Sequence, residues 1–237
     1  MMISSLWSPE LAAGLAAMIE QEQGDEFPPL ATFDWDNTSI RGDISEAVLD
    51  HLDQLDGGSR IKDYLSLLAT HGKVVAYPAA ATALAGYTAA ELREVVIDVI
   101  DARLQKSRVA VRPEIYDLYA TLQHRGWEVW VVSASAEAIV APFAAYYGVP
   151  AERVIGMRLA ADAQGRLLPT LAGPSTFRQG KVDAIEQFIG RRPTFAAGDA
   201  DTDLEMLHAA RYRLVIDRGY PELRSAALTG GWWLHPA

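Results

Sequence analysis

The chain contains no cysteine, so it has neither a disulfide framework nor thiol chemistry. It also lacks any uncharged run close to the roughly 18 residues needed to span a membrane, and we expect no membrane partner. Basic residues are outnumbered, with 21 Lys and Arg against 31 Asp and Glu and a formal net charge of −10. This acidic balance argues against nucleic acid as a partner.

The N-terminus is poor in positive charge, because the first Lys or Arg is Arg41. It therefore lacks the basic start of a secretory signal, and with the absence of cysteine this favours a cytoplasmic protein. The 237 residues, half of them hydrophobic, suffice for one large domain or for a core with an insertion. An acidic protein that handles an anionic substrate needs local positive charge or a metal ion.

The periodicity of apolar residues predicts a Rossmann-like α/β fold with an inserted helical bundle. A short buried strand ends at Phe33, and residues 41–108 then show helical spacing without a strand. From residue 109 onward, strands alternate with helices, which indicates a parallel sheet covered on both faces. We therefore predict a core of residues 1–40 and 109–237 and a helical insertion of residues 41–108. Gln164-Gly165 is typical of a hairpin turn.

Two carboxylates follow the first strand, at Asp34 and Asp36. In extended backbone, residues two apart point the same way, so both charges would crowd one region unless a cation lies between them. A polar turn is the simpler interpretation, since Asp and Asn form turns readily. A calcium loop fails on spacing, because Ser39 stands where glycine is needed and Ser45 where a bidentate Glu is needed.

Three further polar groups fall at strand ends or at the start of a facing helix. They are Ser133-Ala134-Ser135, Lys181, and the run from Gly198 to Asp203. Taken singly, each has a structural explanation: a helix N-cap, a solvated lysine, and a polar loop. Those explanations do not account for all the groups occurring in order at the edge where ligands bind to open parallel sheets.

Together these residue types suit phosphoryl chemistry. Carboxylates suit Mg²⁺, which proteins usually hold with one or two carboxylates plus substrate phosphate. A hydroxyl with backbone N–H groups can hold phosphate oxygens, and a lysine supplies positive charge. An Asp can act as the nucleophile, and a second carboxylate can protonate the leaving alcohol.

The order Asp34-x-Asp36-x-Thr38, Ser133, Lys181 and Gly198-Asp199-x-x-x-Asp203 resembles the four motifs of the haloacid dehalogenase superfamily. The helical insertion resembles the cap of its phosphoserine-phosphatase-like branch, and the match spans nearly the whole chain. The resemblance implies a phosphatase, because a dehalogenase usually lacks the second Asp of the first motif. It also implies Mg²⁺ as the cofactor and a small phosphorylated metabolite as the partner.

The resemblance further implies a role for each motif residue. Asp34 would be the nucleophile, Asp36 the general acid and base, and Ser133 and Lys181 the residues that hold the phosphoryl group. The metal ligands would be Asp34, Asp36 through its main-chain carbonyl, Asp199 and, directly or indirectly, Asp203. We expect the substrate to contact Thr38, Arg41, Asp43 and Ala134.

Substrate choice is divided between two amine-bearing phosphates. In the phosphoserine-phosphatase branch an acidic residue after the first motif meets the substrate ammonium, and Asp43 lies at about that offset. Arg41-x-Asp43 and the segment from Gly173 to Lys181 look similar to phosphorylcholine phosphatases instead. A quaternary ammonium favours aromatic faces, which Trp35, Tyr64, Tyr77 and Tyr87 would supply unless they only pack the bundle.

Three alternatives remain at this point. The enzyme would transfer the phosphoryl group to an acceptor other than water, or the chain would be a non-catalytic module that binds metal or phosphate. The third is an assembly role for Trp232-Trp233, for which packing on an edge strand is the competing interpretation. The protein is expected to be a monomer or a homodimer.

Overall fold

The computed structural model describes residues 6–22, 27–105 and 109–237. Its strands are, in chain order, β1 Leu30–Phe33, β2 Ile40–Arg41, β3 Ala110–Val111, β4 Glu128–Ala136, β5 Val154–Met157, β6 Leu159–Ala161, β7 Leu167–Leu171, β8 Phe195–Gly198, β9 Tyr212–Asp217 and β10 Trp233–Pro236. Its helices are α1 Pro9–Gln21, α2 Ile44–Asp56, α3 Arg60–His71, α4 Lys73–Thr82, α5 Ala89–Gln105, α6 Pro113–His124, α7 Glu137–Ala144, α8 Gln179–Phe188, α9 Leu204–Ala209 and α10 Pro221–Gly230.

Strand β1 lies inside a six-stranded sheet with the order β10-β9-β8-β1-β4-β5, and every neighbouring pair is parallel. All four of its residues are buried, as expected for a strand covered on both faces. Apolar residues of α8, α9 and α10 pack in one core cluster, and those of α1, α6 and α7 in another. The predicted α/β fold with a parallel sheet is confirmed.

Local signals in the sequence set the helix ends. The Ser8 hydroxyl accepts a hydrogen bond from the Leu11 N–H at 3.2 Å, and Pro9 opens α1. Thr88 and Glu91 form a reciprocal capping box before α5, with contacts of 2.7 and 3.2 Å. Pro113 opens α6 in the same way as Pro9 opens α1.

The helical insertion consists of α2 to α5 and lies between β2 and β3. These two short strands pair antiparallel, Ile40 with Val111 and Arg41 with Ala110, so the chain leaves and re-enters the core through one ribbon. The expected boundaries at 40/41 and 108/109 stay predictions, and residues 1–5, 23–26 and 106–108 of the expected units lie outside the described residues. We propose that α2–α5 form a cap.

The predicted hairpin is formed by β6 and β7, with its turn at Asp162 to Gly165. It reaches the helical insertion, where the Gly86 N–H donates to the Leu167 carbonyl and the Leu167 N–H donates to the Tyr87 carbonyl, both at 2.8 Å. The insertion is therefore tied to the core at a second place besides the ribbon.

The C-terminal tryptophans lie at the edge of the sheet. Trp233 belongs to β10, pairs with Leu214 of β9 and stacks on Tyr212 at 5.8 Å between ring centroids. The edge-strand interpretation is confirmed. Within the described parts of the chain, no helix has the length and apolar character to cross a bilayer.

Candidate active site

The loop after β1 is a tight turn rather than an extended run. Asn37 has a left-handed backbone with φ of 61°, which asparagine tolerates better than most residues. The Ser39 hydroxyl donates to the Asp34 carbonyl at 2.6 Å and closes the turn. Thr38 is thereby brought back beside Asp34, and its hydroxyl lies 3.0 Å from Asp34 Oδ2.

Lys181 is fully buried and is not a solvated helix residue. Its ammonium lies 2.6 Å from Asp34 Oδ1 and 2.7 Å from Asp203 Oδ1, and it donates to the Val132 carbonyl at 2.7 Å. Helix α8 and the ends of β1 and β4 thus meet at one ammonium group. A buried lysine with this arrangement neutralises part of the charge of the acids around it.

Asp199 completes the group from the end of β8. Its Oδ1 accepts from the Thr38 hydroxyl at 3.0 Å, and its Oδ2 contacts the Arg218 guanidinium at 2.9 Å. Asp203 turns back beneath it, with Oδ2 accepting the N–H groups of Asp199 and Ala200, both at 3.0 Å. A Cβ at Gly198 would lie 2.6 Å from that of Asp203, so only glycine permits this close turn.

Burial sets the protonation behaviour of the cluster. It raises the pKa of Asp34 to about 6, against the opposing charge of Lys181. Burial and the neighbouring Asp203 raise the pKa of Asp199, while Arg218 opposes that rise. Burial disfavours the charge of Lys181, but Asp203 and Asp34 outweigh it and raise the lysine pKa. A further cation among these carboxylates would therefore stabilise their charged forms.

The three carboxylates fit a hard divalent cation. Oxygens of Asp34, Asp199 and Asp203 lie within 4.8 Å of one another, and all three residues are buried. Carboxylate oxygens are the donors that Mg²⁺ prefers. Asp203 Oδ1 contacts Lys181 and its Oδ2 accepts two backbone N–H groups, so both oxygens already have partners. Asp34 and Asp199, in contrast, line the cavity.

Asp36 stands apart from this cluster and is held by two donors. Its Oδ1 accepts the Ile44 N–H at 2.7 Å, and its Oδ2 accepts the Ser135 hydroxyl at 2.6 Å. Burial, together with the nearby charge of Asp43, raises the pKa of Asp36. A raised pKa helps Asp36 to keep a proton, as a general acid requires.

Ser133, Ala134 and Ser135 all belong to β4, so none of them caps α7. Ser133 is fully buried, and its hydroxyl accepts the Ser135 N–H at 3.0 Å. Ala134 and Ser135 line the cavity in front of Asp34, whereas Ser133 lies behind them. The motif therefore presents backbone and the second serine to the cavity.

The cavity over Asp34 has a volume of about 70 Å³. On its far side it is lined by Asp43, Tyr64, Tyr77, Arg218 and Tyr220, and these residues also line a groove of about 560 Å³. Thr38 does not line the cavity, but its hydroxyl contacts both Asp34 and Asp199. Arg41 is exposed on the ribbon and lies outside the residues that form this cavity.

Two of the four aromatic candidates, Trp35 and Tyr87, do not face the cavity. Trp35 is completely buried and packs edge-on against Phe143 and Tyr147, because the turn directs it into the core. Tyr87 contacts Asp56 at 3.4 Å, away from the cavity. Tyr64 and Tyr77 do face the cavity, and burial raises the pKa of both, which keeps the rings neutral.

Sequence reasoning missed Arg218 and Tyr220, and it gave Ser135 no role. Arg218 directly follows β9, next to the strand that ends before Asp199. The signal was available, since strands were expected to alternate with helices in this part of the chain and to end at the same edge. Lys73 of α4 closes this side by contacting Asp201 at 2.5 Å and lying over the Tyr220 ring at 5.0 Å.

A parallel sheet whose strand tips bring a carboxylate cluster to one buried lysine places the chain among enzymes with a Rossmann-like α/β fold. Comparison with family models identifies the particular family: the chain belongs to the haloacid dehalogenase-like hydrolases, whose model matches residues 31–208. The predicted family, fold class and hydrolase activity are confirmed, and one curated relative of the chain is a phosphatase.

One such relative is the phosphorylcholine phosphatase of Pseudomonas aeruginosa, which is 28% identical over 268 residues and covers 85% of this chain and 76% of its own. Among solved structures, a protein of unknown function from Anaerococcus prevotii has a TM-score of 0.79 at 22% identity and covers 99% of this chain and 94% of its own. A substrate-bound phosphoserine phosphatase has a TM-score of 0.58 at 15% identity, covering 85% and 91%. The two structures establish the fold.

Proposed function

We propose that this protein is a Mg²⁺-dependent phosphomonoester hydrolase that acts on a small metabolite through an aspartyl-phosphate on Asp34. The observation that carries the proposal is the buried contact of 2.6 Å between Lys181 and Asp34, beside the oxygens of Asp199 and Asp203. A carboxylate this close to a fixed cation and open to a small cavity is placed to act as a nucleophile.

In the first step an oxygen of Asp34 attacks phosphorus, and the bond from phosphorus to the leaving oxygen breaks. Asp36 gives its proton to that oxygen, so the leaving group departs as an alcohol. In the second step the Asp36 carboxylate takes a proton from water, which attacks phosphorus and releases inorganic phosphate. Asp34 is then free as a carboxylate and Asp36 is again protonated.

Lys181 offsets negative charge on the transferring group throughout, because burial and its three partners fix its position. Asp34 and Asp199, with the main-chain carbonyl of Asp36, would hold Mg²⁺, while Asp203 positions Lys181 and the loop that carries Asp199. When bound, the ion supplies positive charge to the phosphoryl oxygens and fixes their orientation.

The far end of the cavity favours a leaving group with a positively charged amine. Asp43, Tyr64, Tyr77 and Tyr220 line it, and a carboxylate with aromatic faces suits an ammonium group. The Arg218 guanidinium also lies on this side, but it is paired with Asp199. The small cavity accepts a phosphoryl group, and the adjoining groove of about 560 Å³ leaves room for the remainder. The similarity to a phosphorylcholine phosphatase supports the same substrate class. Phosphorylcholine and phosphoserine are its two representatives here.

The test is phosphate release from a panel that contains phosphorylcholine, phosphoserine, glycerol phosphate and p-nitrophenyl phosphate. We expect turnover that requires Mg²⁺, stops with a chelator, and is faster for the two amine-bearing esters than for glycerol phosphate. No Mg²⁺-dependent release from any ester would refute a hydrolase. Equal rates for charged and neutral leaving groups would refute the substrate class, and products formed with an added alcohol would indicate phosphotransfer.

A further inference from the structure

Ser135 has an interaction that none of the four motifs explains. Its hydroxyl donates to Asp36 Oδ2 at 2.6 Å, across 99 positions of the chain. The other oxygen of Asp36 accepts the Ile44 N–H at the start of α2. The carboxyl that would act as the acid is therefore held on one side by the core and on the other by the helical insertion.

The backbone fixes Ser135 firmly in this position. Strand β4 loses its regular register against β5 between Val132 and Ala136, an irregularity of the kind that redirects side chains near active sites. Within it the Ser135 N–H donates to the Ser133 hydroxyl at 3.0 Å, and the Ser133 carbonyl accepts from Thr176 at 2.6 Å. The completely buried Ser133 thus braces the residue whose side chain reaches the cavity.

We propose that Ser135 is a positioning residue that holds the Asp36 carboxyl toward the leaving-group oxygen. This inference rests on the proposed hydrolase reaction. Without Ser135 a single backbone N–H would restrain Asp36, and the carboxyl could turn about its last bond. When the proton passes to the leaving oxygen, Asp36 becomes a carboxylate, and the Ser135 hydroxyl donates to the charge that has formed.

A comparison of two leaving groups tests this role. p-Nitrophenolate departs without being protonated, whereas an alkyl alcohol requires the proton from Asp36. We expect Ser135→Ala to lower kcat/KM for phosphorylcholine by about 10- to 100-fold but to change that for p-nitrophenyl phosphate by less than about threefold. kcat/KM is used because it reports the steps up to departure of the leaving group.

Two variants make the test specific. Ser135→Thr retains the hydroxyl. We therefore expect its ratio of kcat/KM for phosphorylcholine to kcat/KM for p-nitrophenyl phosphate to be close to that of the wild-type protein. In an Asp36→Asn background the acid is already absent, so Ser135→Ala is expected to leave the ratio unchanged, as interacting residues are not additive. Circular dichroism of each variant reports whether the fold is intact.

The proposal is overturned if Ser135→Ala slows both substrates equally, or if its effect on the ratio is the same with and without Asp36. A purely structural role would give that equal loss. Failure of the proposed function would look different, because the wild-type protein would then release phosphate from neither substrate.

Discussion

The two ends of the cavity draw differently on the sheet domain and on the insertion, and we propose that they serve different purposes. At the phosphate end, Asp34, Lys181 and Asp199 come from strand ends and a helix of the sheet domain, and contacts of 3.0 Å or less fix each of them. At the leaving-group end, Tyr64 and Tyr77 come from two helices of the insertion. Arg218 and Tyr220 of the core complete this end.

We infer from this difference that the phosphate end carries out the reaction and that the leaving-group end selects the substrate. The first end brings like charges together and holds them with a buried cation, an arrangement that costs stability and serves every substrate alike. The second end offers the Asp43 carboxylate and aromatic faces to whatever is attached to the phosphate, beside an Arg218 side chain that is paired with Asp199. Changes at the first end should therefore affect all substrates, and changes at the second end only those with a positive charge.

The largest expected effect is that of Asp34→Asn. The variant retains the size of the side chain but loses the nucleophile, so we expect activity to fall by at least about 10³-fold on every ester in the panel. Steady-state rates with p-nitrophenyl phosphate and phosphorylcholine provide the measurement. Rates near those of the wild-type protein would mean that Asp34 is not the nucleophile.

A smaller and selective effect is expected from Asp43→Asn. Asn can still accept the Glu46 N–H that caps α2, so the helix should remain intact while the charge is lost. We expect kcat/KM for phosphorylcholine to fall about 10-fold, with little change for p-nitrophenyl phosphate.

Asp98→Asn is the matched control, since it removes an exposed charge from α5, outside the residues that line the cavity. It should leave both substrates unaffected. If Asp43→Asn slowed both substrates to the same degree, Asp43 would belong to the chemistry and the separation between the two ends would be wrong.

The sequence predicts the first end better than the second for a physical reason. Asp34 and Asp199 each follow a strand with a recognisable apolar pattern, and parallel strands present their carboxyl ends at one edge. Strand order and direction then bring the side chains together without any knowledge of side-chain packing. Lys181 could be added because it opens the helix that faces this edge.

The positions of side chains at the second end depend on the angles at which the helices of the insertion pack. The periodicity of apolar residues does not specify those angles. Tyr64, Tyr77 and Tyr87 look alike in the sequence, yet only the first two face the cavity. Trp35 lies between Asp34 and Asp36, so its side chain points to the opposite side and packs in the core. The choice between Ser133 and Ser135 depends on the irregular register of β4, which has no evident signal in the chain.

A third prediction concerns the stability cost of the phosphate end. Burial raises the pKa of Asp34 from 3.8 to about 6, so the folded metal-free protein binds this proton more tightly than the unfolded chain does. The favourable contribution is complete below about pH 3.8 and is lost as the pH rises through about 6. Asn resembles the neutral form, so Asp34→Asn should unfold several degrees above the wild-type protein in chelator near neutral pH.

Thermal unfolding of both proteins across this range provides the measurement. The difference should shrink as the pH falls toward about 4, and Mg²⁺ should raise the Tm of the wild-type protein more than that of the variant. A variant that is less stable than the wild-type protein at every pH would show that the ion pair with Lys181 outweighs the cost of burial.

The smallest effect is expected at the rim of the groove, at the ion pair between Lys73 of α4 and Asp201 of the core. Both side chains are partly exposed, so we expect Lys73→Gln to change the free energy of unfolding by less than about 1 kcal/mol.

Because Lys73 also lies over Tyr220 at the rim of the groove, its loss should raise KM for all esters slightly, and less at high salt. Urea unfolding and KM at low and high salt test both points. A loss of stability well beyond this range would mean that the insertion is fixed on the core by this contact and that the two ends do not act independently.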